Sequence, residues 1–405
     1  MTGFPSRIAF AEALEMVRKV GAAHATGAEQ VPTRRADGRV LAQDVTAPVA
    51  LPGFDNSRMD GFALRHADLA GSGTTRLRIV ADQFAGHART QELANGECVR
   101  ITTGAPLPPG ADTVVIKEDV SVDGDLLSVS QLPAHGADIR RAGEDVALGA
   151  QVLQAGMTMT PARIGLVASL GLAGLSVARR PTVAVFTTGD ELVEPGMPLQ
   201  PGQIYNGNRD MLMALLRQQG LEPTAWPSLP DDPQRIQSML LDAASAFDLV
   251  ITSGGVSAGE KDHLPALLSE HGRIHFWKVL MKPGMPVLLG QLQQALVLAL
   301  PGNPVSSLAT FVSLGIPLLD TMQRRQDPAA PLHAALACEW NKQHPRHEFL
   351  RGRLQSDGDA RLWVQPNPAD ASHQLRGAAD SDVLLVLPEG PRQYQRGDVV
   401  QVIRY

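Results

Sequence analysis

The spacing of apolar residues along the chain predicts its first elements. Near the N-terminus Phe10, Leu14 and Val17 recur at the helical interval, and Ser6 stands where an N-cap is needed. A second helical pattern covers Pro161 to Leu170 and stops at Gly171. We expect residues 1–50 and 142–179 to form one discontinuous N-terminal domain.

Residues 51–141 interrupt this domain with a different pattern. Short runs rich in Val, Ile and Thr are separated by Pro-Gly, Asn-Gly and Asp-Gly pairs. Turn-forming pairs between such runs are typical of β-structure. The segment is therefore predicted to be a small β-rich domain.

Residues 180–327 alternate apolar strand patterns with helical ones. The predicted strands are 182–187, 248–252, 274–280 and 295–300, and the predicted helices are 208–219, 233–244, 263–271 and a segment after Asn303. This alternation indicates a central, mostly parallel α/β sheet covered on both faces. Ligands of such sheets bind in the loops after the strands.

The last segment, residues 328–405, again reads as short strands. Strand patterns cover 349–354, 362–364, 383–387 and 399–403, with the turn pair Asp357-Gly358 between the first two. We expect a small β-barrel or sandwich. The overall prediction is a multidomain α/β and β protein.

Composition narrows the class of protein. A chain of 405 residues is too long for one core, and 44% hydrophobic with 19% charged residues is typical of a folded protein. A formal net charge of -6 disfavours nucleic acid as a partner. Two distant cysteines, no signal-peptide pattern and no apolar run long enough to span a bilayer lead us to expect a cytoplasmic protein without membrane contact.

A glycine-rich segment, Ser253 to Gly259, follows one predicted strand and precedes a helix. Ser253, Gly254, Gly255 and Ser257 are candidates for binding phosphate through backbone amides, although a tight turn alone also explains the glycines. Asp262 lies just downstream and Glu191 follows another strand of the same sheet. Carboxylates beside a phosphate loop are typical Mg²⁺ ligands, so both are candidate metal ligands.

Further candidates flank the same sheet edge. Pro301, Gly302, Asn303 and Pro304 open a helix whose N-terminus favours an anion, although capping alone explains them. Lys278 and Lys282 offer ammonium groups to anions, or are simply solvated edge lysines; we place Lys278 within a strand and Lys282 in the Pro-Gly loop beyond it. Asp232 is the better cap for the next helix, which leaves Asp231 for another role.

Three polar segments lie outside this sheet. They contain Asp60 in residues 52–62, Thr103 in residues 101–106 and Asp145 in residues 140–145. Each segment taken singly is equally compatible with an ordinary turn.

Together, and in this order, the segments resemble the molybdopterin molybdenumtransferase (MoeA) family, which includes the C-terminal domain of gephyrin. The matching segments are 52–62, 100–106, 140–145, 186–192, 252–262, 276–286 and 300–304. The resemblance implies a MogA-like molybdopterin-binding domain at residues 180–327, an elongated N-terminal domain, a small C-terminal β-barrel-like domain and a homodimer. A further source of dimer contacts would be apolar faces left uncovered on the first and fifth predicted helices.

The same resemblance implies the reaction and its residues. Molybdate would enter adenylylated molybdopterin, AMP would leave, and molybdenum would be held by the dithiolene sulfurs of the pterin. Positions that match the family's functional residues are Asp60, Thr103, Asp145, Glu191, Asp231, Asp262, Lys278 and Lys282, with Pro301 and Pro304 as sensitive prolines. Met285 stands where the family often has Lys, and Asn206 replaces a usual acidic residue, while Asn208 still matches.

Other functions fit parts of the pattern. A molybdopterin adenylyltransferase of the MogA type would be little longer than the central domain, and a nucleotide pyrophosphatase of the CinA type would lack the segments around Asp60 and Asp145. A non-catalytic scaffold like gephyrin would need an additional partner-binding linker. A separate adenylyltransferase is an expected partner, because it would supply the substrate.

Overall fold

The computed structural model describes residues 4–257, 259, 262–328 and 330–405. Backbone contacts divide the chain into two compact units. One unit consists of Met1–Glu29 with Ala178–Tyr405, and the other is Gln30–Val177. The finer division into four domains, with boundaries at 50, 141, 179 and 327, stays a prediction.

The first described element is a strand, which the sequence pattern did not reveal. Ser6–Ile8 runs parallel to Arg273–Val279, with Ser6 opposite Trp277 and Ile8 opposite Val279. The first helix follows at Phe10–Ala23, and Ala9 is its N-cap without a side-chain bond. The expectation that Ser6 caps this helix is therefore wrong, because the backbone of residues 5–8 bonds to the neighbouring strand instead.

The central sheet has seven strands. In spatial order they are Ser6–Ile8, Arg273–Val279, Leu288–Leu292, Ala295–Leu300, Leu249–Ser253, Val183–Thr187 and Thr224–Ala225. Only Leu288–Leu292 runs antiparallel to its neighbours in this sheet. The predicted mostly parallel sheet is confirmed, and the strand Leu288–Leu292 is an addition to it.

Helices cover both faces of the central sheet. They are Gly207–Gln218, Pro233–Ala246, Leu264–His271 and the continuous segment Pro304–Met322, which contains a π-helical turn at Phe311–Gly315. Alternate residues of one strand enter two separate cores: Val183 and Val185 pack in one, and Ala184 and Phe186 in the other. Strands buried on both faces explain the continuous apolar runs of the sequence.

The apolar faces of the first helix and of Leu264–His271 are covered within this unit. Phe10, Ala13 and Val17 share a core with Leu318 of Pro304–Met322, and Leu264 and Leu268 pack in the opposite core. The expected uncovered faces are therefore absent from these two described helices. Any dimer contact must use other surfaces.

The helix Pro304–Met322 is 19 residues long and apolar enough to cross a membrane by length and composition. However, 78% of that stretch is buried inside the unit. Burial against the central sheet accounts for its composition, because a helix packed on all sides is apolar on all sides.

The C-terminal segment forms the predicted barrel. Five strands close on themselves in the order His347–Ser356, Leu362–Pro366, Leu332–Leu336, Val399–Arg404 and Val383–Leu387, which returns to His347–Ser356. A short strand, Met281–Lys282, pairs with the start of His347–Ser356. A two-stranded pair, Trp340–Lys342 with Arg392–Tyr394, and the helix Leu375–Ala379 complete this segment.

The unit Gln30–Val177 is rich in β-strands and includes residues 51–141, for which the sequence predicted β-structure. Its six-stranded sheet has the order Thr113–Ile116, Gly61–Leu64, Glu97–Ile101, Thr75–Gln83, Leu126–Val129 and Val120–Asp123. Smaller pairs join Val45–Thr46 to Gln151–Leu153, Asn56–Ser57 to Ile139–Arg140, and Ala28–Pro32 to Gly174–Ala178. The predicted second helix is present at Pro161–Ser169, where the Thr160 side chain accepts from the Arg163 amide.

Candidate functional site

A crevice opens at the carboxyl ends of three strands of the central sheet. It comprises a cavity of about 650 Å³ and an adjoining one of about 320 Å³. Three segments line it after their strands: Thr187–Glu191, residues Ser253–Ser257 of the glycine-rich loop, and Pro301–Pro304. The C-terminal segment adds His373 and Leu375. The sequence-based location of the site at this sheet edge agrees with the place of the crevice.

The glycine-rich loop needs its two central glycines. Gly254 and Gly255 adopt φ angles of +99° and +70°, which other residues avoid. A Cβ at Gly254 would also overlap the hydroxyl of Thr188. The Gly254 amide donates to the Leu300 carbonyl at 3.0 Å, which ties the loop to the next strand. Ala258, Glu260 and Lys261 lie outside the described residues.

Asn208 joins the loops that surround the crevice. Its Nδ2 donates to Ser253 Oγ at 2.9 Å and to the Gly302 carbonyl at 2.6 Å. Ser253 Oγ in turn donates to the Pro301 carbonyl at 3.2 Å. The sequence pattern marked Asn208 only as a matching position, and its bridging role depends on contacts that no local spacing reveals.

Asn206 has a structural role that explains its side chain. It is buried, its oxygen accepts from the Arg209 amide at 3.4 Å, and its Nδ2 donates to Thr187 Oγ1 at 2.8 Å. The residue therefore caps the helix Gly207–Gln218 and holds the end of the strand Val183–Thr187.

Asn303 and Pro304 begin the buried helix, as the sequence predicted. The Asn303 side chain makes no capping bond to this helix. Its Nδ2 donates instead to Ser372 Oγ at 3.2 Å, and the Val305 amide donates to the Ser372 carbonyl at 3.3 Å. These bonds hold the segment containing His373 beside the crevice.

Three of the predicted carboxylates line the smaller cavity: Glu191, Asp231 and Asp262. Asp262 Oδ2 accepts from the Gly259 amide at 2.8 Å. Asp232 caps the helix Pro233–Ala246 by accepting from the amides of Gln234 and Arg235, which confirms its predicted role and leaves Asp231 at the crevice.

These oxygen donors suit a hard cation such as Mg²⁺. In the described residues no group of three or more His, Cys, Asp or Glu side chains is placed to hold a metal by itself. A site with few protein ligands is the usual arrangement for Mg²⁺, which takes its remaining ligands from substrate phosphate and water. The residues present therefore fit this ion.

The two candidate lysines lie beside the crevice residues in sequence, but neither is among the residues that line the two cavities. Lys278 belongs to a strand, as expected, with φ at +69° and its Nζ 4.1 Å from the Trp277 ring centroid. Lys282 was expected in a loop, and that expectation is wrong. Its backbone forms a short strand opposite Glu348, and its Nζ lies 3.0 Å from Glu348 Oε1.

In the unit Gln30–Val177 the structure brings two predicted residues together. Asp60 Oδ1 accepts from the amide and from the hydroxyl of Thr103, both at 2.8 Å. The backbone hydrogen bond from Thr103 is the main cause that holds the pKa of Asp60 below its usual value, and Lys117 adds a smaller attraction. Gly61 starts a strand in which a Cβ would overlap the Val115 carbonyl, so packing explains the glycine but not Asp60.

Asp145 follows the turn at residues 141–144 in the same unit, and its backbone amide donates to the Leu51 carbonyl at 3.1 Å. The carboxylate of Asp55, which the sequence analysis did not single out, accepts from Arg141 Nη1 at 2.6 Å and from the Ala142 amide at 2.8 Å. The hydrogen bond from the Ala142 amide is the main cause that lowers the pKa of Asp55.

Comparison with known proteins shows which family models this chain matches. Residues 8–171 match the model of the MoeA N-terminal region (domain I and II), residues 184–321 that of a probable molybdopterin binding domain, and residues 333–405 that of the MoeA C-terminal region (domain IV). The fold and its crevice thus define a multidomain protein with a central domain of the molybdopterin-binding class.

Whole-chain relatives make the assignment specific. A molybdopterin molybdenumtransferase of Haemophilus influenzae is 38% identical over 93% of this chain and 94% of its own length. Molybdopterin molybdenumtransferase 2 of Mycobacterium tuberculosis is 40% identical over 92% of this chain and 94% of its own. A MoeA protein of Pyrococcus horikoshii has a TM-score of 0.83 at 28% identity, with 98% of both chains covered. The chain belongs to the MoeA family.

It is accordingly a transferase of molybdenum cofactor biosynthesis. The adenylyltransferase, pyrophosphatase and scaffold alternatives are not favoured, because relatives with this transferase name match the chain over almost its whole length.

Proposed function

We propose that the chain inserts molybdate into adenylylated molybdopterin, releases AMP and leaves molybdenum on the dithiolene sulfurs of the pterin. The observation that carries this proposal is the convergence of three strand-end segments, Thr187–Glu191, Ser253–Ser257 and Pro301–Pro304, on one crevice, whose larger cavity has a volume of about 650 Å³. The cavity is of the size that small-molecule sites commonly have.

The anionic part of the substrate has suitable partners in this crevice. The backbone amides of the glycine-rich loop approach a ligand closely because Gly254 and Gly255 have no side chain. The helix that starts at Pro304 directs its positive dipole end to the same place. We assign Ser253, Gly254, Gly255, Ser257, Pro301, Gly302, Asn303 and Pro304 to substrate binding.

Mg²⁺ would be held by Glu191 and Asp262, with Asp231 beside them. Bound there, the ion would neutralise charge on the substrate's phosphate oxygens. The protein's own side chains orient the substrate: carboxylates accept from the amino-pyrimidinone edge of the pterin. We also assign Lys278 and Lys282 as sources of positive charge toward phosphate or molybdate oxygens, acting from beside the residues that line the two cavities.

The substrate carries the sulfur ligands for molybdenum, so no protein thiolate is required. Cys98 is buried in the unit Gln30–Val177, and burial raises the pKa of its thiol to about 12. Such a thiol is a poor metal ligand near neutral pH. Cys338 belongs to the barrel segment and is not among the residues that line the crevice.

We further propose that Asp60, Thr103 and Asp145 take part in molybdate insertion, that the protein works as a homodimer in the cytoplasm, and that an adenylyltransferase supplies its substrate. The family supports these assignments. The bonded pair of Asp60 and Thr103 supports the first of them, because a half-exposed carboxylate held by two hydrogen bonds remains ionised and accessible.

The test is a defined reaction. Purified protein is incubated with adenylylated molybdopterin, Mg²⁺ and molybdate, while AMP is measured by chromatography and product by reconstitution of a cofactor-free molybdoenzyme. AMP release should require both molybdate and the divalent cation. AMP release from ATP without any pterin would overturn the proposal in favour of a nucleotide pyrophosphatase.

A further inference from the structure

Trp277 connects the central sheet to the glycine-rich loop. It lies in the strand Arg273–Val279, and its indole Nε1 donates to the Val256 carbonyl at 2.9 Å. Val256 directly follows Gly254 and Gly255, whose positive φ angles take the loop out of regular pairing. A single side-chain bond thus fixes the peptide group at the centre of this loop.

The direction of that peptide group matters for the crevice. The Val256 carbonyl and the Ser257 amide belong to one planar trans peptide, so they point in opposite directions. Because the carbonyl is aimed at Trp277, the Ser257 N–H is aimed away from it. Ser257 lines both cavities of the crevice.

The surroundings hold the indole in this orientation. The Phe4 ring lies 6.4 Å from the Trp277 ring, and the Lys278 ammonium lies 4.1 Å from its centroid. Lys278 has φ at +69°, a backbone conformation that a residue with a long side chain rarely adopts. The positively charged Lys278 and the loop peptide are therefore both in contact with one aromatic residue.

We propose that Trp277 is a positioning residue for substrate binding: its indole N–H orients the Val256–Ser257 peptide so that the Ser257 amide donates to the anionic group of the substrate. This inference rests on the proposed function, since it assigns that anion to the glycine-rich loop. Trp277 itself need not touch the substrate.

The experiment replaces the indole while keeping an aromatic ring. Trp277→Phe should raise the KM for adenylylated molybdopterin and weaken binding of AMP, measured by calorimetry, by about tenfold, with kcat changed less than about twofold. Trp226→Phe is the matched control. Trp226 packs against Phe186 and Phe247 in the same unit, and its Nε1 has no hydrogen-bond partner among the described residues.

The outcomes separate the two hypotheses. If the unaltered protein neither releases AMP nor binds it, the proposed function fails. If it does both and Trp277→Phe matches it, or if both variants weaken AMP equally, the positioning role is overturned. Hydrogen exchange gives an independent readout: the peptide covering 253–257 should exchange faster in Trp277→Phe only. Should that variant not fold, Trp277→Leu, which also lacks an N–H donor in its side chain, replaces it with the same criteria.

Discussion

The Lys282 ammonium lies 3.0 Å from a carboxylate oxygen of Glu348, whose side chain is only 4% exposed. His344 contacts the same oxygen at 3.1 Å. Lys282 therefore neutralises a buried charge of the barrel in addition to any contact with the substrate's anions. Replacing it has two consequences that an experiment can separate.

Lys282→Ala should lower the free energy of unfolding by about 1 to 3 kcal/mol, because a buried carboxylate loses its cation. It should also raise the molybdate concentration at half-maximal AMP release more than Lys278→Ala does, by about tenfold or more. Met285→Lys, which restores a neighbouring ammonium, should partly rescue this second effect. Both quantities come from denaturant unfolding and from the AMP assay.

The double variant Lys282→Ala with Glu348→Gln distinguishes stability from anion handling. Removing the buried charge together with its partner should restore most of the unfolding free energy. The half-saturating molybdate concentration should stay raised. An unchanged half-saturation point in Lys282→Ala would show that this lysine serves the barrel alone.

Gly254→Ala should reduce AMP release at least about tenfold. The alanine would have to adopt a φ angle of +99°, which residues with a side chain avoid, and its Cβ would overlap Thr188. The measurement is AMP release at saturating substrate. Gly27→Ala is the control, since a Cβ there meets no atom within 4 Å. Full activity of Gly254→Ala would mean that the loop's close approach to Thr188 is dispensable.

Most of the central sheet could be predicted because its strands are buried on both faces and read as continuous apolar runs. The strand Leu288–Leu292 was missed for a physical reason. It joins Ala295–Leu300 through a tight connection at Gln293, which adopts φ at +53° without being Gly, Asn or Asp. The turn therefore leaves no composition signal between two apolar segments.

Part of the candidate site could likewise be predicted from the sequence, and part could not. Glu191 and Asp262 lie in the loops that follow two neighbouring strands, so topology alone brings them to one edge of the sheet. The Thr188 contact, the Asn208 bridges and the approach of His373 depend on packing between segments distant in sequence. Nothing in local spacing encodes the pairing of Lys282 with Glu348, which decides what that lysine stabilises.

His275 should make the free energy of unfolding depend on pH in the acidic range. Burial lowers its pKa to about 4, and the positive charges of Arg273 and His24 add to this effect. In the unfolded chain His275 binds a proton below about pH 6.5, whereas in the folded chain its ring stays neutral until about pH 4. The contribution of neutral His275 to the free energy of unfolding is therefore present above pH 6.5 and is lost as the pH falls through this interval.

Wild-type protein should lose about 1 kcal/mol more unfolding free energy than His275→Gln between pH 8 and pH 5, a value discounted because the ring is only half buried. Denaturant unfolding at both pH values gives the comparison. His333→Gln, which changes an exposed histidine, should follow the wild type. Parallel loss in wild type and His275→Gln would assign the acid sensitivity to other groups.

The protein should have a mass of about 86 kDa in solution, twice the 43.2 kDa of one chain. Because the apolar faces of the first helix and of Leu264–His271 are already covered, these two faces do not supply the interface. Light scattering over a wide range of protein concentration measures the mass. A value near 43 kDa at every concentration would contradict the homodimer.

Asp60→Ala should fold normally and yet lose molybdate insertion. Its side chain is about half exposed, so its removal leaves no cavity, and the Thr103 amide and hydroxyl that it holds can bond to water instead. AMP release should fall about 10- to 100-fold, the usual effect of losing hydrogen bonds to a charged group. Thr103→Val should have a smaller effect, because the Thr103 amide still donates to Asp60. Asp125→Ala, at an exposed turn of the same unit, is the control and should retain full activity.

Because the pKa of Asp60 is lowered, the carboxylate stays ionised through neutral and mildly acidic pH, so Asp60→Asn should be as impaired at pH 6 as at pH 8. Retained activity of Asp60→Ala at saturating molybdate would leave Asp60 as no more than an anchor for the Thr103 segment.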